Sequence, residues 1–225
     1  RLFVGLILIF LITFFFFIKL DYIFIGIIFL LLFYELAYCK IVDLKSLSIT
    51  VIVFFILYFL LNILNLSSSI YIFLFLFSLI SSLIFVNLRN YFFSFYILTS
   101  LIFIYLLLDL NRNIFYFAIL ISFLNDTSAY VFGKYFKGPL IAPKISPNKT
   151  WSGTVISILV TTSFMLYFNY SIIFSFVVAI SLYFGDLYFS FIKRKYFIKD
   201  FSNLLFSHGG LLDRFDSIFP VILLF

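Results

Sequence analysis

Asp213 and Asp216 stand three residues apart just after Gly209-Gly210. That spacing puts two carboxylates on one face of a helix entered from a bend. The preceding stretch supplies cations at Lys193, Arg194, Lys195 and Lys199. Carboxylates beside cations suit Mg²⁺ together with phosphates, because Mg²⁺ takes one or two carboxylates and completes its shell with phosphate oxygens and water. Asp186, beside Gly185, lies inside an otherwise apolar run. An acid at membrane depth is costly and must be paired, hydrated or bound to a cation. A structural contact between helices is the plain alternative, and Gly185 lets a backbone or a ligand approach closely. Asp126, in Asn125-Asp126-Thr127-Ser128, interrupts another apolar run. It is either a solvated acid at a helix end or a carboxylate facing a polar cavity.

Between these acids lies a loop with Pro139, Pro143 and Pro147, which exclude a helix there. The loop presents Lys144 and Lys149 with several hydroxyls, Ser146 among them. Lysine is a compact point charge and a good phosphate binder, and Ser or Thr ahead of a helix goes with backbone N–H groups that attract anions. The competing reading is a loop whose lysines set membrane topology or touch anionic headgroups.

The elements that must position these groups are apolar helices. Of 225 residues, 65% are hydrophobic and 11% charged, and mean hydropathy is +1.26. A soluble domain needs roughly a quarter of its residues charged, so lipid is the expected solvent. Continuous apolar runs, without alternation, favour helices over barrel strands. Nine candidate spans follow, at about Leu2–Ile18, Tyr22–Cys39, Leu47–Leu64, Ile70–Val86, Tyr91–Leu108, Ile114–Phe136, Ser152–Phe168, Ser171–Ile192 and Leu211–Phe225. The fold class is thus an all-α integral membrane protein. Residues 1–120 read as scaffold and 121–225 as the part carrying chemistry, since six of the eight glycines and all four prolines fall after residue 125.

With nine spans, thirteen of the fifteen basic residues fall on one side, leaving Lys19 and Arg112 on the other. The positive-inside rule then puts the N-terminus and both rich connections in the cytoplasm. The net charge of +6 is explained by orientation, without nucleic acid. Cys39 reads as a small core residue, and a single cysteine and a single histidine exclude an internal disulfide and a multi-histidine metal site. Glu35 reads as a helix–helix contact or an interfacial acid, with an acid facing the cavity as the lesser alternative. Arg1 and Phe225, the latter inside an apolar run, read as trimmed ends, and no cleavable signal peptide stands out.

The charged positions form a longer pattern. Ser190-Phe191-Ile192-Lys193-Arg194, four residues, Lys199-Asp200, and then His208-Gly209-Gly210-Leu211-Leu212-Asp213-Arg214-Phe215-Asp216 resembles the phosphatidate cytidylyltransferase, or CDP-diacylglycerol synthase, family. The Asp126–Tyr130 segment, the Pro143–Gly153 loop and Gly185-Asp186 resemble further blocks of that family in the same order. Phe206-Ser207 departs from the small residue or proline and glycine usual before the histidine, and Asn148 stands where a basic or small residue is common.

The resemblance implies that CTP and phosphatidate give CDP-diacylglycerol and pyrophosphate. It implies Asp186 and Asp213 as holders of Mg²⁺, with a monovalent cation such as K⁺ also compatible with the site. Lys149 would contact phosphates at the reacting centre. Asp126, Lys144, Ser146, Lys193, Arg194, Lys199, His208, Arg214 and Asp216 would complete a substrate-binding cavity, with His208 either a base or a structural part of the bend. Dimers are common in such families, so a homodimer is an expected assembly. A bacterial inner membrane, with the site facing the cytoplasm, is the expected location. A CTP-dependent polyprenol or dolichol kinase, an ion-coupled transporter and an inactive family member are the competing readings.

Overall fold

The computed structural model of the chain describes residues 13–38, 41–63, 69–204 and 209–225. Helices dominate: α1 (Asp21–Tyr38), α2 (Leu44–Ile63), α3 (Ser69–Ile84), α4 (Arg89–Phe136), α5 (Trp151–Tyr167), α6 (Ile172–Lys195), α7 (Leu212–Phe215) and α8 (Ile218–Ile222). α4 and α6 are long and apolar enough to cross a membrane, and α1, α2, α3 and α5 contain shorter apolar stretches. α4 is two helices joined at Asn111, whose φ of −158° and ψ of 97° are extended backbone.

Two expectations need correction. The loop over 139–150 is not irregular: β1 (Leu140–Ala142) pairs antiparallel with β2 (Ser146–Thr150), so the fold is mostly rather than wholly helical. Prolines bar a helix but are tolerated in edge strands, and both strands of a two-stranded sheet are edges. The ninth expected helix is instead α7 and α8, of four and five residues, with Asp216 and Ser217 in a turn between them. Asp213 and Asp216 therefore do not share one continuous helix. Most of the first expected helix, together with Cys39 and His208, lies outside the described residues.

The chain forms two compact units, one of Arg1–Leu110 with Phe201–Leu212, the other of Asn111–Asp200 with Asp213–Phe225. In the first, α1 buries Phe24, Ile28, Leu32 and Leu36, one residue per turn along a single stripe. Its other faces present Ile23, Ile27 and Leu30, the last 68% exposed, a surface suited to lipid. Phe75 packs on Tyr96 at 4.8 Å between ring centroids, and Phe93 stacks on Phe201 at 5.8 Å. Glu35 is fully buried. It accepts hydrogen bonds from the backbone N–H groups of Leu211 and Leu212, at the start of α7, and from the Ser202 hydroxyl.

In the second unit, α5 and α8 pack on α6. Ala118, Ile121, Met165, Val178, Leu182 and Val221 form its sealed core. Thr150 caps α5 by accepting from the Gly153 N–H at 3.2 Å, and Ser171 caps α6 by accepting from the Phe174 N–H at 3.4 Å. Two glycines permit close backbone approach. A Cβ on Gly153 would lie 2.6 Å from the Ala129 carbonyl oxygen, and one on Gly185 would lie 2.6 Å from that of Asp216. These contacts bring α5 against the end of α4, and the Asp216 turn against α6.

Candidate active site

The charged residues of the second unit converge from four elements. α4 carries Asp126, β2 carries Lys149, α6 carries Asp186 and Lys193, and the α7 segment carries Asp213, Arg214 and Asp216. Lys149 and Asp186 form an ion pair, with side chains 21% and 29% exposed. Lys193 donates to Asp213 Oδ1 at 2.7 Å, and this pair is more deeply buried, at 11% and 6%. The two pairs belong to one electrostatic group. The charge of Asp186 acts on Asp126, Asp216 and Lys193, and those of Lys149 and Arg214 act on Asp126.

Neutral groups fix this arrangement. Ser190, one turn after Asp186, donates to Asp186 Oδ1 at 3.4 Å. The Ser217 N–H donates to Asp216 Oδ1 at 2.7 Å. The Ser122 and Ser217 hydroxyls share a hydrogen bond of 2.6 Å, which ties the turn holding Asp216 to α4 one turn before Asp126. Beside Asp126, buried Asn125 accepts from the Thr161 hydroxyl at 3.4 Å, linking α4 to α5. The Lys149 ammonium also lies over the Tyr183 ring, 5.2 Å from its centroid.

Seven of the residues singled out from the sequence thus meet: Asp126, Lys149, Asp186, Lys193, Asp213, Arg214 and Asp216. The others stand differently. Arg194 donates from Nε to the Ile145 carbonyl at 3.1 Å and from Nη1 to the Ile198 carbonyl at 3.4 Å, bracing the hairpin against the end of α6. Ser146 sits in β2, paired with Ala142. Lys144 is exposed in the hairpin turn and Lys199 in the connection after α6. Neither is among the charges acting on Asp126, Asp216 or Lys193. The hydroxyls of Thr150 and Ser152 are engaged with each other, the cap of α5 and the Gly138 N–H, so they serve the hairpin.

Sequence reasoning gave no role to Tyr183, to Ser190, which entered only as the first residue of the charged pattern, or to Ser122. For the first two a signal existed: they stand three residues before and four after Asp186, on its face of α6. Ser122 carried none, because its partner is 95 residues away.

The inner group holds four carboxylates and three cations. Among the described residues, no three His, Cys, Asp or Glu side chains gather to hold a metal by themselves. The donor set therefore does not suit a metal caged by protein alone. It does fit Mg²⁺ held by one or two carboxylates and by the phosphates of a ligand.

The family model of the cytidylyltransferase family matches residues 1–225. The chain is similar to the phosphatidate cytidylyltransferase of Rickettsia conorii (strain ATCC VR-613 / Malish 7), 44% identical over 109 residues, covering 41% of this chain and 47% of that protein. It is 42% identical over 101 residues to the phosphatidate cytidylyltransferase of Aquifex aeolicus (strain VF5), covering 43% of this chain and 39% of that one. To the Bacillus subtilis (strain 168) protein of the same name it is 39% identical over 107 residues, covering 43% and 40%. The chain spans about half the length, or less, of the curated relatives it matches.

Proposed function

The chain belongs to the cytidylyltransferase family, and on that footing we propose that it converts CTP and phosphatidate into CDP-diacylglycerol and pyrophosphate. The observation that carries this reading is the meeting of the Lys149–Asp186 and Lys193–Asp213 pairs in one charged group inside an apolar fold. In the reaction, a phosphate oxygen of phosphatidate attacks the α-phosphorus of CTP. The new P–O bond forms as the bond from that phosphorus to the pyrophosphate oxygen breaks. The nucleophile is already anionic, so the task is to bring two polyanions together and to hold the charge of the leaving group.

Lys149 serves this by contacting phosphates at the reacting centre while Asp186 and Tyr183 keep its ammonium in place. Lys193, held by Asp213, supplies a second fixed positive charge. Arg214 and Asp126 extend the polar surface, and Asp216 completes it. Carboxylates gathered where substrate phosphates must lie support a divalent cation as cofactor. Asp186 and Asp213 would hold Mg²⁺, which when bound neutralises charge on the phosphates of the substrate and leaving group. A K⁺ ion is compatible with the remaining carboxylates. His208, Lys144 and Lys199 are proposed contacts for the outer parts of the substrates.

The same proposal sets the chain in a bacterial inner membrane, with the N-terminus and the hairpin facing the cytoplasm. CTP is available there, and the phosphatidate headgroup meets the site at the interface while its tails stay in lipid. The distribution of basic residues supports this orientation. Residues 121–225 carry the reaction and 1–120 serve chiefly as scaffold.

The test is lipid- and CTP-dependent pyrophosphate release by the purified full chain with Mg²⁺, beside Asp213→Asn. Release in the parent, with at least a hundredfold loss in the variant while Lys193 and the fold persist, is the expected result. CDP formed from CTP as its terminal phosphate passes to a polyprenol, with no pyrophosphate, replaces the proposal with a lipid kinase.

A further inference from the structure

We propose that Glu35 is a positioning residue for this transfer: its buried carboxylate sets the peptide from which Asp213 projects. The proposal rests on the reading of the reaction given above. Glu35 is 0% exposed, and both its oxygens are engaged. Oε1 accepts from the Leu211 N–H at 2.9 Å and from the Ser202 hydroxyl, and Oε2 accepts from the Leu212 N–H at 2.6 Å. Asp213 is the next residue.

Three features make this grip matter. First, α7 has only four residues. A single turn is not self-stable, and the N–H groups at its start have no intrahelical acceptor. The direction of α7 is thus set from outside, and Glu35 takes two of those N–H groups. Second, Gly210 has no room for a side chain: a Cβ there would occupy the place of Glu35 Oε1 and lie 2.8 Å from Ser202 Oγ. Its neighbour Gly209 has a φ of 77°, in the left-handed region that favours glycine. The Gly209-Gly210 pair therefore bends the chain and lets the carboxylate reach the next two amides. Third, α1 is a firm base for the anchor, because Leu32 and Leu36, on either side of Glu35, are 0% and 1% exposed. A buried acid engaged by main-chain donors is a costly choice for packing alone, since an apolar side chain of similar size fills space without desolvating a charge.

The experiment compares Glu35→Gln, Gly210→Ala and the double variant with the parent, all as full chain. Amide hydrogen exchange over residues 209–216 is read without substrate, beside kcat, KM for CTP and thermal unfolding. In Glu35→Gln, exchange at Leu211 and Leu212 should rise at least tenfold. Its kcat should fall about 10–100-fold, with KM for CTP changed by less than about threefold, the cost of misplacing a catalytic group. Gly210→Ala should reproduce both changes, and the double variant should be no worse than the worse single one, because both lesions break the same grip. Unchanged exchange at Leu211 and Leu212 overturns the proposal. So does a lower unfolding temperature with unchanged kcat per folded molecule, which marks a merely structural role. A parent chain that releases no pyrophosphate overturns the reaction reading, and with it the catalytic consequence, whatever the exchange data give.

Discussion

Lys149 is the residue on which the site's charges balance most finely. It pairs with Asp186, lies over Tyr183 and acts on Asp126. Its pair with Asp186 is part-exposed, and such pairs contribute about 0–1 kcal/mol to stability. Lys149→Met should therefore leave the unfolding temperature in detergent nearly unchanged. Pyrophosphate release should fall about a hundredfold or more, the usual cost of removing a preorganised group that stabilises transition-state charge. Parallel melting and turnover curves check this, and a large stability loss with normal specific activity contradicts it. At this scale the sequence was informative about acids and less so about cations. Asp186 could be picked out because a carboxylate in an apolar run needs a reason, and Asp213 because it follows a Gly-Gly bend beside cations. Arg194 could not be told from Lys193 by composition, yet one braces backbone carbonyls and the other pairs with Asp213. That choice is made by the end of α6, which no local pattern reveals.

Elements were legible where a single apolar period ran unbroken. The expected spans Ser152–Phe168 and Ser171–Ile192 differ from α5 and α6 by a residue at most ends, and by three at the end of α6. The prolines at 139, 143 and 147 barred a helix, but they could not announce a hairpin, because strand pairing is decided between segments. Pro220 and the turn at Asp216-Ser217 broke the last apolar run into α7 and α8, although hydropathy alone joined them. Gly185 carries the sharpest prediction at this scale. A methyl there meets the Asp216 carbonyl oxygen at 2.6 Å and Pro220 Cγ at 2.7 Å. Gly185→Ala should destabilise the protein by about 1–3 kcal/mol, the range for overpacking a closed contact, and should lower activity by shifting Asp216. Gly26, in α1, has nothing within 4 Å of its would-be Cβ. Gly26→Ala should leave activity intact and stabilise by up to about 1 kcal/mol through helix propensity. Thermal unfolding of both variants in one detergent separates the two effects.

Across the whole molecule, composition pointed to lipid as the solvent and charge placement suggested the orientation. With Cys39 replaced by alanine, Lys144→Cys should react with a membrane-impermeant thiol reagent only from the cytoplasmic side. Asn113→Cys, next to one of the two basic residues expected on the far side, should react only from the other. Labelling of both from one side contradicts this orientation. What composition could not reveal is a link between the two ends of the chain. Glu35 and the Leu212 amide that it binds are 177 residues apart. At roughly 5–20 residues per second, Glu35 is incorporated about 9–35 seconds before that amide exists. Through that interval its carboxylate lacks the Ser202, Leu211 and Leu212 donors, and the acid has to stay hydrated or neutral. Glu35 is thus a record of completion during biogenesis: only a chain translated past Leu212 can bury that acid among its own amides.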